Sequence, residues 1–306
     1  MVRFVLRRAA QAVGVLALVL TAVFFSFRLA PGDPARLAAG LGASEEAVAR
    51  VRAEMGLDRP LAAQYLSYLE GLARLDLGRS TLYGRDIAGA IAKSLPATLA
   101  LAASSLLTAL VLGIPAGIVS ALRPGSMLDR LASTLSVALL SIPNFWLGLL
   151  LMSGFAIRLQ WLPAGGSGTL ATLVLPSIAV AARLVALFSR TARSALLEVL
   201  GQEYVRTAVA KGLRPATVVV KHALRNASIP IVTLLGLQVG YLLGGSVVVE
   251  SLFSYQGVGF MLITAAGARD YAMVQSLTIL YVATFLVVNL LVDLAYARID
   301  PRIQYR

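Results

Sequence analysis

Six long apolar runs dominate this sequence. They lie at about residues 9 to 29, 96 to 122, 131 to 157, 172 to 189, 229 to 249 and 273 to 297. A helix needs about 20 apolar residues to cross the hydrocarbon core of a bilayer. Only 14% of the residues are charged and 58% are hydrophobic, which is too little charge to cover a surface that faces only water. The pattern predicts an all-α integral membrane protein with six transmembrane helices.

The first and fourth runs need separate comment. Arg3, Arg7 and Arg8 precede the first run, as in a signal peptide. The apolar stretch is too long for one, however, and Pro-Gly-Asp-Pro follows at 31–34 where a cleavage site needs small residues. We therefore expect an uncleaved first helix. Arg183 interrupts the fourth run, and two explanations stay open: it belongs to a polar pathway, or it snorkels toward the cytoplasmic face.

Basic residues are concentrated on one side of the predicted spans, and cytoplasmic loops are the ones that carry excess Lys and Arg. The short loops on the other side hold only Arg158 and Arg269. Both termini are therefore predicted to be cytoplasmic. This orientation explains most of the net charge of +12, so no nucleic-acid partner is expected. The basic residues assigned to the inside are Arg3, Arg7, Arg8, Arg123, Arg130, Arg190, Arg193, Arg206, Lys211, Arg214, Lys221, Arg225, Arg298, Arg302 and Arg306.

The segment of about residues 30 to 94 is much longer than a connection between two spans requires. It holds eight basic and eight acidic residues, which cancel. Ser44, followed by two glutamates, predicts the start of a helix that ends at Gly56, and Pro60 predicts the start of a second one. We expect a small folded insertion outside the membrane. The predicted domains are residues 1–94, the first helix with this insertion, and residues 95–306, the membrane core.

The internal segment of about residues 190 to 228 contains a predicted amphipathic helix. Gly212 is predicted to end this helix, and Pro215 to begin another short one toward His222 and Leu224. Two roles stay open: a basic helix that rests on anionic headgroups, or a rigid lever that docks into a cytoplasmic partner. The side chains that repeat every four residues along one helical face are Leu196, Leu200, Tyr204 and Ala208.

Residues for catalysis are scarce. The chain has no Cys and one His, which excludes a disulfide framework, a thiolate site and a histidine cluster. None of its three lysines follows a glycine, so it lacks the Gly-Lys-Ser/Thr sequence with which a P-loop binds phosphates. An ion-coupled carrier would more often place carboxylates inside spans, and only Asp293 qualifies. The lone His222 is interpreted as structural or solvent-exposed. We expect a non-enzymatic transport subunit, with an ion-coupled secondary transporter or channel subunit as the alternative.

The segment Glu-Tyr-Val-Arg-Thr-Ala-Val-Ala-Lys-Gly-Leu at 203–213 closely resembles the EAA loop of the dipeptide/oligopeptide/nickel permeases of ABC importers. Departures are few: Val209 stands where the family usually has a basic residue, and Gln256 and Ala272 stand where it has prolines. Further matching motifs, in order, are Leu-Ala-Pro-Gly-Asp-Pro at 29–34, Met-Gly-Leu-Asp-Arg-Pro at 55–60, Asp-Leu-Gly-Arg-Ser at 76–80, Leu-Pro-Ala-Thr-Leu at 95–99, Lys-His-Ala-Leu-Arg-Asn at 221–226, Glu-Ser-Leu-Phe-Ser-Tyr at 250–255, Arg-Asp-Tyr at 269–271 and Asp-Pro-Arg-Ile at 300–303.

The resemblance implies a type I importer transmembrane domain in the inner membrane that forms half of a translocation path. Its implied cargo is a peptide or a similar small solute, with nickel, glutathione or a glycoside as alternatives. The implied partners are a second homologous permease in a heterodimer, two cytoplasmic ATPase subunits that bind ATP and Mg, an external solute-binding protein and membrane lipid. No cofactor is expected in this chain. The residues implied to couple it to the ATPase are Glu203, Tyr204, Arg206, Thr207, Ala208, Lys211 and Gly212.

Glycines in the fifth run are expected to allow neighbouring helices to approach closely, as small residues do in membranes. They are Gly236, Gly240, Gly244 and Gly245.

Overall fold

The computed structural model describes residues 2–29, 33–40, 42–80, 84 and 86–299. Regular structure within these residues is helical, apart from one isolated bridge between Arg79 and Asp86. The chain divides into two compact units, one of residues 1–96 with 257–286 and one of residues 97–256 with 287–306. The predicted motif at 300–303 and most of the one at 29–34 lie outside the described residues. The predicted 1–94 and 95–306 domains stay a prediction.

Fourteen α-helices follow one another along the described residues. Two π-helical segments, Met152–Arg158 and Val218–Ala223, continue the seventh and tenth helices. The bounds are α1 Val2–Leu29, α2 Pro34–Ala39, α3 Glu45–Glu54, α4 Leu61–Ala73, α5 Ile87–Leu122, α6 Met127–Ser141, α7 Asn144–Leu151, α8 Leu170–Leu200, α9 Glu203–Ala210, α10 Pro215–Thr217, α11 Leu224–Gly245, α12 Val247–Leu252, α13 Val258–Gly267 and α14 Tyr271–Ile299.

Each predicted apolar run falls on helix, but not every run forms one straight span. Within the described residues, four helical stretches are long and apolar enough to cross a bilayer, and a bent pair is a candidate fifth. The apolar part of α1, Ala10–Ser26, is shorter. The four stretches are Ile87–Leu122, Leu170–Leu200, Pro215–Leu242 and Tyr271–Val292.

The third run is wrong as a single straight helix. Met127–Ser141 and Asn144–Arg158 meet at an angle of 104°. The break lies at Ile142, which has extended backbone (φ −84°, ψ 123°) and precedes Pro143. Proline disfavours helical geometry in the residue before it because its ring clashes with that residue. The sequence therefore contained the signal for this bend.

The two predicted helices of the insertion are confirmed. The Ser44 hydroxyl accepts the backbone N–H of Ala47 at 3.3 Å and caps α3. Gly56, just beyond this helix, has the expected left-handed backbone, with φ of +65°. Pro60 directly precedes α4. The short helix α2, capped by the carboxylate of Asp33, was not predicted.

An aromatic cluster packs α4 against the end of α1 within the first unit. The rings of Phe24 and Tyr65 lie 5.2 Å apart between centroids, and Tyr68 lies 5.5 Å from Phe24. The hydroxyls of Thr21 and Tyr65 form a hydrogen bond of 2.6 Å. Burial raises the pKa of Tyr68 to about 12, so this phenol stays neutral at physiological pH. The insertion is thus anchored on the first helix by aromatic side chains.

Two motif segments that lie far apart in sequence meet in the first unit. The hydroxyl of Ser80 donates to Asp270 Oδ2 at 2.5 Å, and both residues are buried. The other carboxylate oxygen of Asp270 accepts the N–H of Met273 at 3.1 Å, in the first turn of α14. The matching residues at 76–80 and 269–271 therefore stabilise one another, and this pairing was not predicted.

In the second unit, α8 supplies much of the buried core. Gly113 and Gly117, one turn apart on α5, face it directly: a Cβ at Gly113 would come within 2.7 Å of the carbonyl oxygen of Val185. One at Gly117 would overlap the backbone of Ser189. Small residues four apart allow such close contact between membrane helices. The pattern is visible in the sequence, and our prediction missed it.

The expected close approach in the fifth run is confirmed at one glycine. A Cβ at Gly236 would come within 2.6 Å of Val292. At Gly244 nothing lies within 4 Å, and at Gly245 the nearest atom, at 3.0 Å, belongs to Tyr241 of the same helix. These last two glycines therefore do not serve helix packing within this chain.

Candidate coupling site

The predicted internal helix is interrupted. Helix α8 continues the fourth span to Leu200, and α9 begins afresh at Glu203. Between them Gln202 has extended backbone (φ −77°, ψ 148°) and is the N-cap of α9. The expectation of one amphipathic helix across this point is wrong, because the extended residue changes the direction in which each following side chain points.

Helix α9 rests on an apolar seat formed by its own chain. Val205 and Ala208 are 3% and 6% exposed, and they pack with Val218, which is 3% exposed. Val199 and Leu200 complete the cluster. The expected orientation of Ala208 toward a partner is therefore wrong: its methyl group faces the π-helical segment of this chain.

Tyr204 also departs from the predicted apolar stripe. Its side chain is 41% exposed. Its hydroxyl accepts a hydrogen bond from Asn226 Nδ2 at 2.7 Å, which ties α9 to α11. The backbone carbonyl of the lone His222 lies 3.5 Å from the same hydroxyl. Tyr204 is thus a polar tether beside the apolar seat.

The remaining predicted coupling residues form one exposed polar surface, which we call the α9 face. Glu203 and Arg206 form a loose ion pair, with 3.5 Å between Oε1 and Nη1, and both side chains are mostly exposed. Thr207 and Lys211 are exposed as well. The structure therefore brings these side chains together on one face and leaves them accessible.

Gly212 ends α9 as predicted. Its φ is +76°, a left-handed conformation that glycine adopts without the steric penalty of a Cβ. The N–H of Gly212 bonds to the carbonyl of Val209 at 2.9 Å. The predicted helix start at Pro215 is also confirmed, although this helix continues through the π-helical segment into α11 instead of ending as a separate element.

Small side chains support the seat from below. Ala195 and Leu196 of α8 pack with Ala223 and Ala227 from the far side of the turn, and Ala121 of α5 joins them. Alanines allow the helix backbones to approach closely. The whole segment from the end of α8 to the start of α11 is therefore packed, as a rigid connector needs to be.

An ion pair near this seat joins the ends of α5, α6 and α8. The guanidinium of Arg193 binds Asp129 at two points, Nε to Oδ1 at 2.7 Å and Nη2 to Oδ2 at 2.9 Å. Ser120 also donates to this carboxylate, and the N–H of Gly125 donates at 2.8 Å. Sequence reasoning missed the pair, although Asp129 is the single carboxylate between the second and third runs.

Two other residues that the sequence singled out differ in how far they are described. The guanidinium carbon of Arg183 lies 5.6 Å from the centre of the Tyr241 ring. The side chain of Asp293 lies outside the described part of the chain.

Comparison with known proteins adds independent evidence. Residues 113–305 match the model of the family described as binding-protein-dependent transport system inner membrane component, and residues 1–102 match the model of its N-terminal region. The chain is 42% identical, over the full length of both proteins, to the glutathione transport system permease protein GsiC of Pectobacterium atrosepticum. It is 40% identical, again over full length, to GsiC of Escherichia coli strain K12.

Two solved structures share the fold. They are inward-facing forms of the MetNI methionine ABC transporter, with TM-scores of 0.55 and 0.56 and sequence identities of 22% and 20%. The similarity covers 70% and 71% of this chain, and 96% and 97% of the chains compared. It supports the type I importer fold expected from the sequence.

An all-helical chain with several spans and a packed internal connector is a multi-pass membrane subunit of a transporter. More particularly, the chain belongs to the family of binding-protein-dependent transport system inner membrane components. It is a permease subunit of an ATP-driven importer and acts with other subunits of that system, in agreement with the predicted class. Family membership decides against the ion-coupled carrier that the sequence alone had left open.

Proposed function

We propose that this permease carries peptide-like solutes into the cytoplasm and that the α9 face receives the movement of a cytoplasmic ATPase. The observation that carries the second part is the contrast between the two faces of α9. One is exposed and polar, whereas the other is buried on Val205 and Ala208. A helix held in this way moves with α8 and α11 as one body, which a flexible loop would not do.

The proposed assembly contains this chain, a second homologous permease, two ATPase subunits and an external solute-binding protein. ATP and Mg are bound by the ATPase subunits, and the chain itself carries no cofactor or catalytic residue. Both termini face the cytoplasm, because basic residues are concentrated in the same segments as α9. The full-length similarity to glutathione permeases favours glutathione or another small peptide as cargo.

Labelling with single cysteines tests the orientation directly, because the native chain has no Cys. Cysteine at Ala210, exposed at the end of α9, is expected to react with a membrane-impermeant maleimide only after the cells are opened. Cysteine at Glu46 in α3 is the matched control and is expected to react in intact cells. Labelling of position 210 in intact cells would overturn the orientation.

Cross-linking tests the docking. With a short bifunctional reagent, cysteine at Arg206 on the α9 face is expected to cross-link to a P-loop subunit in the intact complex. Cysteine at Glu198 near the end of α8 is an exposed comparison outside this face. Equal cross-linking from both positions, or none from Arg206 in an ATPase-active complex, would contradict the proposed site.

A further inference from the structure

The second half of α8 exposes a stripe made only of polar side chains, which we call the α8 polar stripe. Its members lie seven, four and four residues apart and therefore share one helical face. The first half exposes apolar side chains instead, at Leu170, Ala171, Val174 and Ile178. The residues of the α8 polar stripe are Arg183, Arg190, Ser194 and Glu198.

The stripe begins deep in the span. Arg183 is 17 residues before the end of α8 at Leu200, and Tyr241 is 17 residues after the start of α11 at Leu224. At 1.5 Å per residue, both lie about 25 Å from the coupling end of their helices. The guanidinium stacks on a ring at the same height, so Arg183 does not extend toward that end in the way that snorkelling requires.

A charged side chain at this depth needs polar surroundings, because exposure of its charge to hydrocarbon costs several kcal/mol. Among the described residues, no carboxylate lies within ion-pair distance of Arg183. Its one described contact of this kind is the Tyr241 ring. Stacking on an aromatic face occupies the flat side of a guanidinium and leaves the N–H groups at its edge free to bind.

Open space lies beside this pair. Tyr241 is 49% exposed, and nothing lies within 4 Å of a Cβ built at Gly244, one turn further along α11. A guanidinium edge that faces such a space matches the two oxygens of a carboxylate.

We propose that the stacked Arg183 is a solute-binding residue of the translocation path and takes the carboxylate of the transported solute. The α8 polar stripe then leads from this point toward the coupling end. This inference rests on the proposed import of peptides, which carry a terminal carboxylate. It names the chemical group that the permease recognises after the binding protein has released its cargo.

The test uses the complete importer in liposomes, supplied with its binding protein. The probes are a transported tripeptide with a free terminal carboxylate and the same tripeptide as its amide, each at a concentration that saturates the binding protein. For the carboxylate form, Arg183→Gln is expected to lower uptake about tenfold, the effect of losing one charged hydrogen-bonded contact. Arg183→Lys is expected to retain part of the uptake, because it keeps the charge but loses the planar edge.

The amide discriminates a binding role from a structural one. Parent and Arg183→Gln importers are expected to carry the amide at similar rates, and ATP hydrolysis stimulated by the loaded binding protein is expected to persist in the variant. Arg158→Gln removes an exposed arginine outside the stripe and is the matched control, expected to match the parent on both probes.

Each alternative outcome is distinct. Equal uptake of the free tripeptide by parent and Arg183→Gln overturns the carboxylate site while peptide import stands. Loss of the second permease from the purified Arg183→Gln complex would show instead that Arg183 pairs with that subunit, and overturns it too. If the parent imports neither probe, the proposed peptide cargo fails, and the carboxylate assignment fails with it.

Discussion

The coupling end of the second unit and the external insertion of the first both contain ion pairs, but at different depths. Asp129 is 6% exposed in its pair with Arg193. In the insertion, Glu45 is 79% exposed in its pair with Arg36. Buried charge pairs are costly to break because the remaining charge stays without a partner, whereas exposed pairs contribute little. Depth, and not the number of ion pairs, should therefore decide which region a substitution damages.

Apolar contacts differ between the two regions as well. The coupling end uses small and β-branched side chains that fit helix backbones closely, as at Ala208 and Val218. The insertion uses large rings that pack on α1, as at Phe24 and Tyr65. A seat of small side chains fixes the position of a helix tightly, which suits a segment that transmits movement.

The largest effect is expected from Asp129→Ala. This change leaves Arg193 without its carboxylate and removes the acceptor for Ser120 and for the N–H of Gly125. We expect the free energy of unfolding to fall by about 3 kcal/mol, at the low end for buried pairs because Arg193 is one third exposed. Thermal unfolding of the permease in lipid nanodiscs measures this. Ser133→Ala, on the same helix, is the control; an equal loss in both variants would contradict the importance of the pair.

Ala208→Glu is expected to be second. A carboxylate there would enter the apolar cluster with Val205 and Val218, at a local cost of about 2 kcal/mol or more. We expect proteolysis of the segment between α8 and α11 and loss of coupled uptake. The matched change Ala210→Glu adds the same charge two residues away at an exposed position and is expected to leave the segment resistant to protease. If both variants behave alike, the apolar seat is not what holds α9.

Gly212→Val comes third. A β-branched residue at a φ of +76° is expected to cost about 1 kcal/mol or more locally and to misdirect the turn that leads to Pro215. Solute-stimulated ATP hydrolysis and uptake should fall together, while assembly with the second permease persists. Gly201→Val is the comparison, because Gly201 has a negative φ of −77°. Full uptake by Gly212→Val would contradict the rigid role of this turn.

Local signals predicted most of the elements correctly. Apolar runs located the spans, Ser44 and Gly56 located α3, and Pro215 located a helix start, because each of these acts through neighbouring backbone. Helix α9 was misjudged for a physical reason: a four-residue repeat carries no information about a break at Gln202, whose extended backbone is favoured by packing contacts on both sides of it. The long-range pairs of Ser80 with Asp270 and of Asp129 with Arg193 were equally invisible, since no local rule joins residues so far apart.

The smallest effect is expected from Arg52→Ala in the insertion. Arg52 binds Asp33, and their side chains are 44% and 28% exposed. Burial opposes ionisation of Asp33, but the hydrogen bonds from Arg52 and Ala35 lower its pKa overall. A carboxylate whose pKa is lowered on folding stabilises the fold above its unfolded pKa of about 4, and this contribution disappears as the pH falls below that value. The pair should therefore matter at pH 7 and vanish in acid.

At pH 7 we expect Arg52→Ala to lower the free energy of unfolding by less than about 1 kcal/mol, and 1 M salt to abolish the difference by screening. Thermal unfolding of the full permease at low and high salt measures both. Arg50→Ala removes a neighbouring exposed arginine and controls for the change in net charge. A loss as large as that of Asp129→Ala, or one that persists in high salt, would mean that depth does not separate the two regions. The insertion would then depend on its charges as strongly as the coupling end does.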